Sequence, residues 1–330
     1  MNSHLYKELT QNELERVIDE ALHTKILASK LLTGGLFNTT YLVDTADCGR
    51  VVLRVGPINR HLLMPFEHDM MESEEHVYAL CHERNIPVSE VLAMDRSKKA
   101  IGRDYMIVRY IPSKPMLEAE LEPEEKAQIC RDIGAATRQM HEIESPRFGR
   151  IADVKNGKGF ERWSDGILFE LEQWESVARP AKLLTDEEFD RVHRIFTQMI
   201  PYLDEVKTAH LVHTDLWLGN VLISTDGEKP EFAAIIDADR AMWGDPEQDF
   251  SSIRWTHSEP AFWEGYGKPL SQDSHGLIRR TAYTLLWNLL DSYVFDQEYI
   301  APEEAAANLK EAFENMDRLE RMLEQARTEI

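Results

Sequence analysis

A short segment about two thirds of the way along the chain restricts its fold more than any other feature. It reads HLVHTDLWLGNVLIS and contains His213, Asp215 and Asn220 in the pattern His-x-Asp-x-x-x-x-Asn. Apolar residues flank the polar positions on both sides, which predicts two short buried strands joined by a loop. A second apolar stretch, FAAII, ends at Asp237, 22 residues after Asp215. We therefore expect a hairpin that brings both carboxylates to one end of a sheet.

These residue types meet the requirements of phosphoryl transfer. The reaction needs a carboxylate beside the acceptor hydroxyl and oxygen ligands for the Mg²⁺ ions that neutralise the triphosphate. Asp215 is the candidate catalytic residue, and Asn220 and Asp237 are the candidate metal ligands. A capped turn is the ordinary explanation of a lone His-x-Asp. The presence of all three groups at this spacing favours the catalytic interpretation.

With these motifs the chain resembles the aminoglycoside phosphotransferase family, which includes choline-kinase-like and fructosamine-kinase-like enzymes. The glycine-containing hairpin of that family has its counterpart in Gly34, Gly35, Asn38, Tyr41 and Val43. A strand with a cation (VVLRV), an acidic helix and a hinge-like strand (YMIVRYIP) follow in the family's order. The resemblance covers roughly residues 26 to 255.

The resemblance implies an α+β, bilobal protein-kinase-like fold, with a small antiparallel-sheet N-lobe and a larger α-helical C-lobe. Residues 1–111 would form the nucleotide-binding lobe with a leading helix. Residues 112–330 would carry the catalytic loop and the acceptor site. The apolar pattern agrees, because ILASKLL, TYLVD, VVLRV, VLAMD and DYMIVRYI read as five strands. Residues 70 to 84 read as a charged helix that ends before Pro87.

The nucleotide, ATP or GTP, is expected to lie between the lobes. The resemblance implies that the glycine hairpin (Gly34, Gly35, Asn38) covers the phosphates with its backbone N–H groups. Arg54 would place the α and β phosphates together with Glu74 or Glu75 of the following helix. The adenine would bind the Arg109 carbonyl and the Ile111 N–H, which we align with the family's hinge. A glycine pair between strands is otherwise simple turn chemistry.

Departures from protein kinases indicate a small-molecule acceptor. Arg54 stands where protein kinases use a lysine, although either cation can bind phosphate oxygens. Ala238 and Asp239 follow Asp237 in place of Phe-Gly, Thr214 replaces the loop arginine, and the sequence has no Ala-Pro-Glu segment. A phosphorylated activation loop would therefore lack its usual arginine partner.

The charge of the C-terminal part favours a cationic or neutral acceptor. From Asp237 to Ile300 there are 11 acidic residues, 5 basic residues and 11 aromatic residues. Such a cleft would attract an amino sugar through carboxylates and ring contacts, although solvated surface charge is the alternative for each residue. The candidates for acceptor contacts are Asp239, Glu247, Glu259, Trp255 and Trp263.

Three functions follow from these observations. The first is an Mg²⁺- and nucleotide-dependent O-phosphotransferase that acts on an aminoglycoside-type antibiotic. The second is a metabolic small-molecule kinase for a fructosamine, a sugar or an amino alcohol, because the Asp-Leu-Trp-x-Gly-Asn wording also resembles fructosamine kinases. The third is a catalytically inactive kinase-fold binding module. Such modules usually lack a metal ligand or the catalytic aspartate, and this chain retains them.

Composition excludes several other classes of protein. The 330-residue chain has a formal net charge of −22, which opposes binding to nucleic acid or an anionic membrane. No apolar run approaches the ~18 residues of a membrane helix. The three cysteines, Cys48, Cys81 and Cys130, do not form a zinc or disulfide pattern. We therefore expect a cytoplasmic protein.

Several residues are expected to have structural roles. The resemblance implies that Asp249 braces the catalytic loop by hydrogen bonds and that His213 orients it. Trp163 and Trp174 fit the core or the wall of the acceptor site equally well. A helix over residues 302–327 is expected to pack on its own lobe, with a dimer contact as the alternative. The oligomeric state, monomer or homodimer, stays open.

Overall fold

The computed structural model describes residues 2–32, 35–224, 226–227 and 229–328. In this part of the chain the α-helices are α1 Gln11–Leu22, α2 Met70–Glu83, α3 Pro123–His141, α4 Ile151–Lys155, α5 Trp163–Ala178, α6 Asp186–Leu203, α7 Pro260–Tyr266, α8 Ser274–Tyr293 and α9 Pro302–Thr328. A π-helical turn, Val294–Glu298, directly follows α8.

The strands of the described residues are short and pair antiparallel within four sheets. They are β1 Asn2–Ser3, β2 Ile26–Leu32, β3 Thr39–Thr45, β4 Arg50–Val55, β5 Val91–Asp95, β6 Tyr105–Arg109, β7 Ser113–Pro115, β8 Glu144–Ser145, β9 Gly149–Arg150, β10 Ala209–Val212, β11 Val221–Ser224, β12 Glu231–Ile235, β13 Met242–Gly244 and β14 Tyr299–Ile300. The expected α+β fold, with a small antiparallel sheet and a larger helical part, is confirmed.

The five predicted strands of the N-terminal part form one sheet in the order β2-β3-β4-β6-β5. Helix α1 covers one face, where Leu14 and Ile18 share an apolar cluster with Leu53 and Val55 of β4. Because side chains alternate along a strand, Arg54 lies on the opposite face. That face lines a cavity between the sheet and the helical part of the protein.

The helical part is built around α8, which is buried along most of its length and packs against α9. Met316, Leu319 and Leu323 of α9 are buried against this core, so the C-terminal helix packs on its own lobe as expected. Trp163 and Trp174 are fully buried. Of the two roles considered for these tryptophans, core packing is therefore the one observed.

Helices α3 and α7 approach each other so closely that glycine is required on both. A Cβ atom on Gly134 would overlap the carbonyl of Phe262 and lie 2.8 Å from the backbone nitrogen of Tyr266. A Cβ on Gly265 would overlap the carbonyl of Arg131. Since these neighbours are backbone atoms within helices, they cannot move aside as a side chain can.

The predicted hairpin is formed by β11 and β12, which follow the catalytic loop. Val221 pairs with Ile235, and the backbone N–H of Ile236 donates to the carbonyl of Asn220 at 2.9 Å. This pairing sets Asn220 beside the residue that precedes Asp237. Strand β7 joins the other edge of β11. The chain after Pro112 therefore continues in a short strand, Ser113–Pro115.

Within the described residues, no helix is both long enough and apolar enough to span a membrane.

Candidate active site

A cavity of about 750 Å³ lies between the five-stranded sheet and the helical part. The sheet, the glycine hairpin, the catalytic loop, the segment after β12 and the end of α8 all contribute to its lining. Most of the side chains with candidate chemical roles meet there: Asn38, Arg54, Asp215, Asn220, Asp237 and Asp239.

The catalytic loop holds Asp215 in contact with Asn220. The Asn220 side-chain amide donates to the Asp215 carbonyl at 2.8 Å and to the Asp215 Oδ2 at 3.1 Å. These bonds use the amide nitrogen of Asn220 and leave its Oδ1 available as a ligand. Burial raises the pKa of the Asp215 carboxyl, Arg240 opposes the shift, and the charge of Asp237 adds to it.

Asp249 braces this loop from the protein interior. Its Oδ2 accepts hydrogen bonds from the backbone N–H of His213 at 3.0 Å and from the His141 ring at 2.9 Å. Its Oδ1 accepts the N–H of Thr214 at 2.5 Å. Thr214 has a φ of 68°, which is unfavourable for a β-branched residue and needs such support. The expected hydrogen bonds between the loop and Asp249, which accepts them, are confirmed.

His213 also contacts the loop through its side chain, as expected for an orienting residue. Its Nδ1 accepts the backbone N–H of Asp215 at 3.2 Å, and its Nε2 lies 3.0 Å from the carbonyl of Ile236. The ring is buried. His213 thus links the catalytic loop to the segment that carries Asp237.

Arg54 lies among three carboxylates on the sheet side of the cavity. Its Nη1 pairs with Glu74, and its Nη2 lies 2.5 Å from Asp237 Oδ1 and 3.6 Å from Asp239 Oδ2. Glu74, fully buried on α2, is the partner that the sequence left undecided between Glu74 and Glu75. Burial disfavours the charged guanidinium, but the three carboxylates outweigh it and raise the pKa of Arg54.

Tyr78 connects the members of this cluster and was not identified from the sequence. Its hydroxyl donates to Glu74 Oε1 at 2.6 Å and accepts the backbone N–H of Asp237 at 2.9 Å. Asp237 has a φ of 64°, a left-handed conformation that aspartate tolerates, and the hydrogen bond to the Tyr78 hydroxyl holds its backbone N–H. The spacing of Tyr78, four residues after Glu74 on one helix, is the signal that could have revealed it.

The other predicted nucleotide contacts are the glycine hairpin and the hinge. Gly35 and Asn38 line it, whereas Gly34 lies outside the described residues. Arg109 and Ile111 also line the cavity where β6 ends. The Ile111 N–H has no protein acceptor among the described residues. An N–H available at this position suits the acceptor nitrogen of a purine ring.

The donor atoms around Asp237 suit a hard divalent cation. The Asn220 Oδ1 and the Asp237 carboxylate supply oxygen only, and Glu74, Asp237 and Asp239 have carboxylate oxygens within 4.8 Å of one another. Magnesium prefers oxygen ligands and is commonly bound by one or two carboxylates together with substrate phosphates. The residues present therefore fit the predicted Mg²⁺ ions.

Most of the acceptor contacts suggested by the sequence do not lie in this cavity. Asp239 lines it, but Glu247 pairs with Arg280 and Glu259 pairs with Lys126. Trp255 and Trp263 pack in an aromatic cluster, and their indole N–H groups donate to backbone carbonyls. Sequence position placed these residues near the site, but their charges and ring N–H groups already have partners within the fold.

Comparison with known proteins places the chain in a family. Residues 29–286 match the model of the phosphotransferase enzyme family. Because the match covers most of the chain, the protein belongs to this family and is a phosphotransferase. No curated protein sequence matches the chain.

Solved structures share the fold at low sequence identity. APH(2")-IIa, in a ternary complex with streptomycin and ATP, aligns with a TM-score of 0.65 and 15% identity, covering 92% of this chain and 97% of that one. APH(4)-Ia, an aminoglycoside phosphotransferase in complex with AMP-PNP and hygromycin B, gives 0.62 and 18%, covering 95% and 99%. A protein described as a fructosamine-3-kinase from Haemophilus somnus 129PT gives 0.60 and 18%, covering 90% and 96%. The fold is thus the protein-kinase-like fold of small-molecule phosphotransferases.

Proposed function

We propose that the protein transfers the γ-phosphoryl group of ATP or GTP to a hydroxyl of a small molecule, with Mg²⁺ as the required metal. The observation that carries this proposal is the meeting of Asp215, Asn220, Asp237 and Arg54 in one cavity. The nucleotide would lie between the glycine hairpin and the hinge. Residues 1–111 would form the nucleotide-binding lobe and residues 112–330 the lobe that binds the acceptor.

Each residue has a distinct part in the proposed reaction. Asp215 orients the acceptor hydroxyl and takes its proton late in the transfer, as the bond from the hydroxyl oxygen to phosphorus forms and the bond from phosphorus to the β,γ-bridging oxygen breaks. Asn220 and Asp237 would hold Mg²⁺, which neutralises phosphate charge when bound. Arg54, paired with Glu74, would contact the α and β phosphates.

The first candidate acceptor is an antibiotic of the aminoglycoside type, cationic or neutral in charge. Two of the structurally similar proteins were solved in complex with such compounds. The acidic lining of the cavity also suits cations. The second candidate is a metabolic compound such as a fructosamine, a sugar or an amino alcohol. The exposed Trp217 of the Asp-Leu-Trp-x-Gly-Asn segment supports this alternative, because its ring offers an apolar surface in the cavity that Asp215 also lines. Free thiols at Cys48, Cys81 and Cys130 support the proposed cytoplasmic location.

Binding of the nucleotide gives the first test. The purified protein should gain thermal stability from Mg²⁺ with millimolar ATP or GTP, and EDTA should abolish the gain, since a ligand that binds only the folded state stabilises it. A melting temperature that neither nucleotide changes would contradict the proposal.

Two aspartate variants separate chemistry from binding. Asp215→Asn should lower turnover at least ~100-fold with little change in nucleotide affinity, because the amide cannot accept the proton. Asp237→Asn should weaken Mg²⁺-nucleotide binding as well. Asp296→Asn removes an exposed carboxylate outside the cavity and serves as the control. Turnover of Asp215→Asn close to that of the wild type would show that another carboxylate acts as the base.

A further inference from the structure

The end of α8 and the π-helical turn after it form a wall of the cavity that the nucleotide contacts do not use. Trp287, Asp291, Val294 and Phe295 line the cavity; Asp291 comes four residues after Trp287, and Val294 and Phe295 come three and four residues after Asp291. This spacing places them on one face of the helix. A π-helical turn within such a wall is a common feature of functional sites.

Asp291 is the exceptional residue of this wall. Its carboxylate has no hydrogen bond and no ion pair with any residue that the structure describes. The acidic residues that face the first turns of α8 are paired: Asp245 with Arg279 and Glu247 with Arg280. A half-buried carboxylate that is left without a partner is unfavourable in the absence of a cation.

The charges around Asp291 come from three other elements. Burial raises the pKa of Asp291 to about 7; Arg240 opposes this shift, whereas Asp215 and Glu67 add to it. Asp291 and Asp215 line the same cavity. A ligand held by Asp291 would therefore share that cavity with the proposed catalytic residue.

The remaining charges of the cavity limit the number of cationic groups that a ligand can bring. Asp237 and Asp239 lie against Arg54. Arg240, which is paired with Glu67, also lines the cavity, and its guanidinium lies 5.8 Å from the Trp287 ring centroid, so a second cation at that ring would meet a charge of the same sign. Trp287 and its neighbours offer apolar and aromatic surface instead.

We propose, on the basis of the phosphotransferase function proposed above and in favour of its second class of acceptor, that Asp291 binds the single ammonium group of an amino alcohol whose apolar part lies against Trp287 and Phe295. The acceptor hydroxyl then points toward Asp215. Asp291 is a specificity-determining residue in this arrangement, and it selects a singly charged acceptor over a polycation.

Matched probes test this proposal with the Mg²⁺–ADP-bound protein. The aromatic pair is 2-amino-1-phenylethanol and 1-phenyl-1,2-ethanediol, and the aliphatic pair is 1-amino-2-octanol and 1,2-octanediol. Within each pair only the ammonium group is replaced by a hydroxyl. Titration calorimetry should show at least one amino alcohol binding about 10-fold or more tightly than its diol, as expected for a partly buried charged hydrogen bond.

Two variants assign the preference to one carboxylate. Asp291→Asn should reduce the preference for the ammonium group to less than about 3-fold and leave Mg²⁺–ADP affinity unchanged, because the amide keeps the size but not the charge. Asp296→Asn, an exposed position on the same turn, should keep the full preference. With an identified acceptor, Asp291→Asn should raise KM far more than it lowers kcat.

Several outcomes would overturn the inference. These are equal binding of amine and diol, failure of both amino alcohols to bind, an unchanged preference in Asp291→Asn, or binding of kanamycin more than about 10-fold tighter than both amino alcohols. If Mg²⁺–ADP binds normally in those experiments, the proposed phosphotransfer still stands. Failure of the protein to bind any Mg²⁺-nucleotide would overturn both.

Discussion

Replacement of Asp249 by asparagine should destabilise the protein more than most single substitutions. The two carboxylate oxygens accept three hydrogen bonds: from the N–H of His213, from the His141 ring and from the N–H of Thr214. An asparagine keeps one oxygen and presents an amide nitrogen to donors on the other side. At least one backbone N–H of the catalytic loop then loses its acceptor in the interior.

The magnitude follows from the number of bonds lost. Each hydrogen bond to a charged group contributes about 1.5–3 kcal/mol, and breaking one side of a buried charged network costs about 3–5 kcal/mol. For Asp249→Asn this corresponds to a fall in melting temperature of roughly 5–15 °C for a chain of this size. The released backbone at Thr214 should also move Asp215 and lower kcat.

The stability difference between the wild type and Asp249→Asn should also change with pH in a definite direction. Burial alone would raise the pKa of Asp249, but the hydrogen bonds from His141 and His213 hold it below its ordinary value. A carboxyl with a lowered folded-state pKa contributes stability above the unfolded pKa of about 4 and loses it as the pH falls through the folded pKa. The melting temperature of the wild type should therefore exceed that of Asp249→Asn most at neutral pH. The difference between the two melting temperatures should become smaller below about pH 4.

Thermal melts of the wild type, Asp249→Asn and the exposed control Asp296→Asn between pH 3.5 and 8 measure both effects. Asp296→Asn should melt within about 2 °C of the wild type, as surface substitutions do. If Asp249→Asn also melts within 2 °C of the wild type at neutral pH and keeps its turnover, the hydrogen bonds of Asp249 do not stabilise the catalytic loop. Our interpretation of the loop would then be wrong.

Three further predictions concern packing, phosphate binding and charge. Gly134→Ala should destabilise the protein by about 1–3 kcal/mol or more, seen as a lower melting temperature, because its Cβ would meet helix backbone; a neutral effect would refute the close packing of α3 and α7. Arg54→Lys should raise the nucleotide KM several-fold, because an ammonium cannot reach both Glu74 and phosphate in the manner of a guanidinium fork; an unchanged KM would remove Arg54 from phosphate binding. The KM of a cationic acceptor should rise between 50 and 500 mM salt, because salt screens the carboxylates of the cavity; a KM independent of salt, or a preferred acceptor with two negative charges, would contradict the acidic-cleft interpretation.

Local pattern was sufficient to predict the elements that bear the chemistry. Alternating apolar residues predicted the five strands of the N-terminal sheet, and the structure contains all five. The approach of Asn220 to Asp237 followed from two strands close in sequence, which have one simple way to pair. In each of these cases the determining interactions lie within a short stretch of chain.

Contacts between distant segments could not be predicted in the same way. Tyr78 and Asp237 are 159 residues apart, and their hydrogen bond depends on how α2 docks on the segment after β12. Asp291 lies on a helix whose apolar pattern indicates burial but not which residue faces the cavity. The candidates Glu247 and Glu259 failed for a related reason, since a nearby arginine or lysine from another element pairs with each of them.

The balance of charge in the cavity links stability to function. Five carboxylates come together there or directly beside it: Glu74, Asp215, Asp237, Asp239 and Asp291. Arg54 forms ion pairs with Glu74, Asp237 and Asp239, and Arg240 is already paired with Glu67. Excess carboxylates in a partly buried site disfavour folding, so cations that bind there, as Mg²⁺ with nucleotide or as an acceptor ammonium, should stabilise the protein. For the same reason the free energy of unfolding of a neutral variant such as Asp291→Asn should be at least as high as that of the wild type, although the variant loses function. This is the trade-off between stability and activity that is expected of a ligand-binding site.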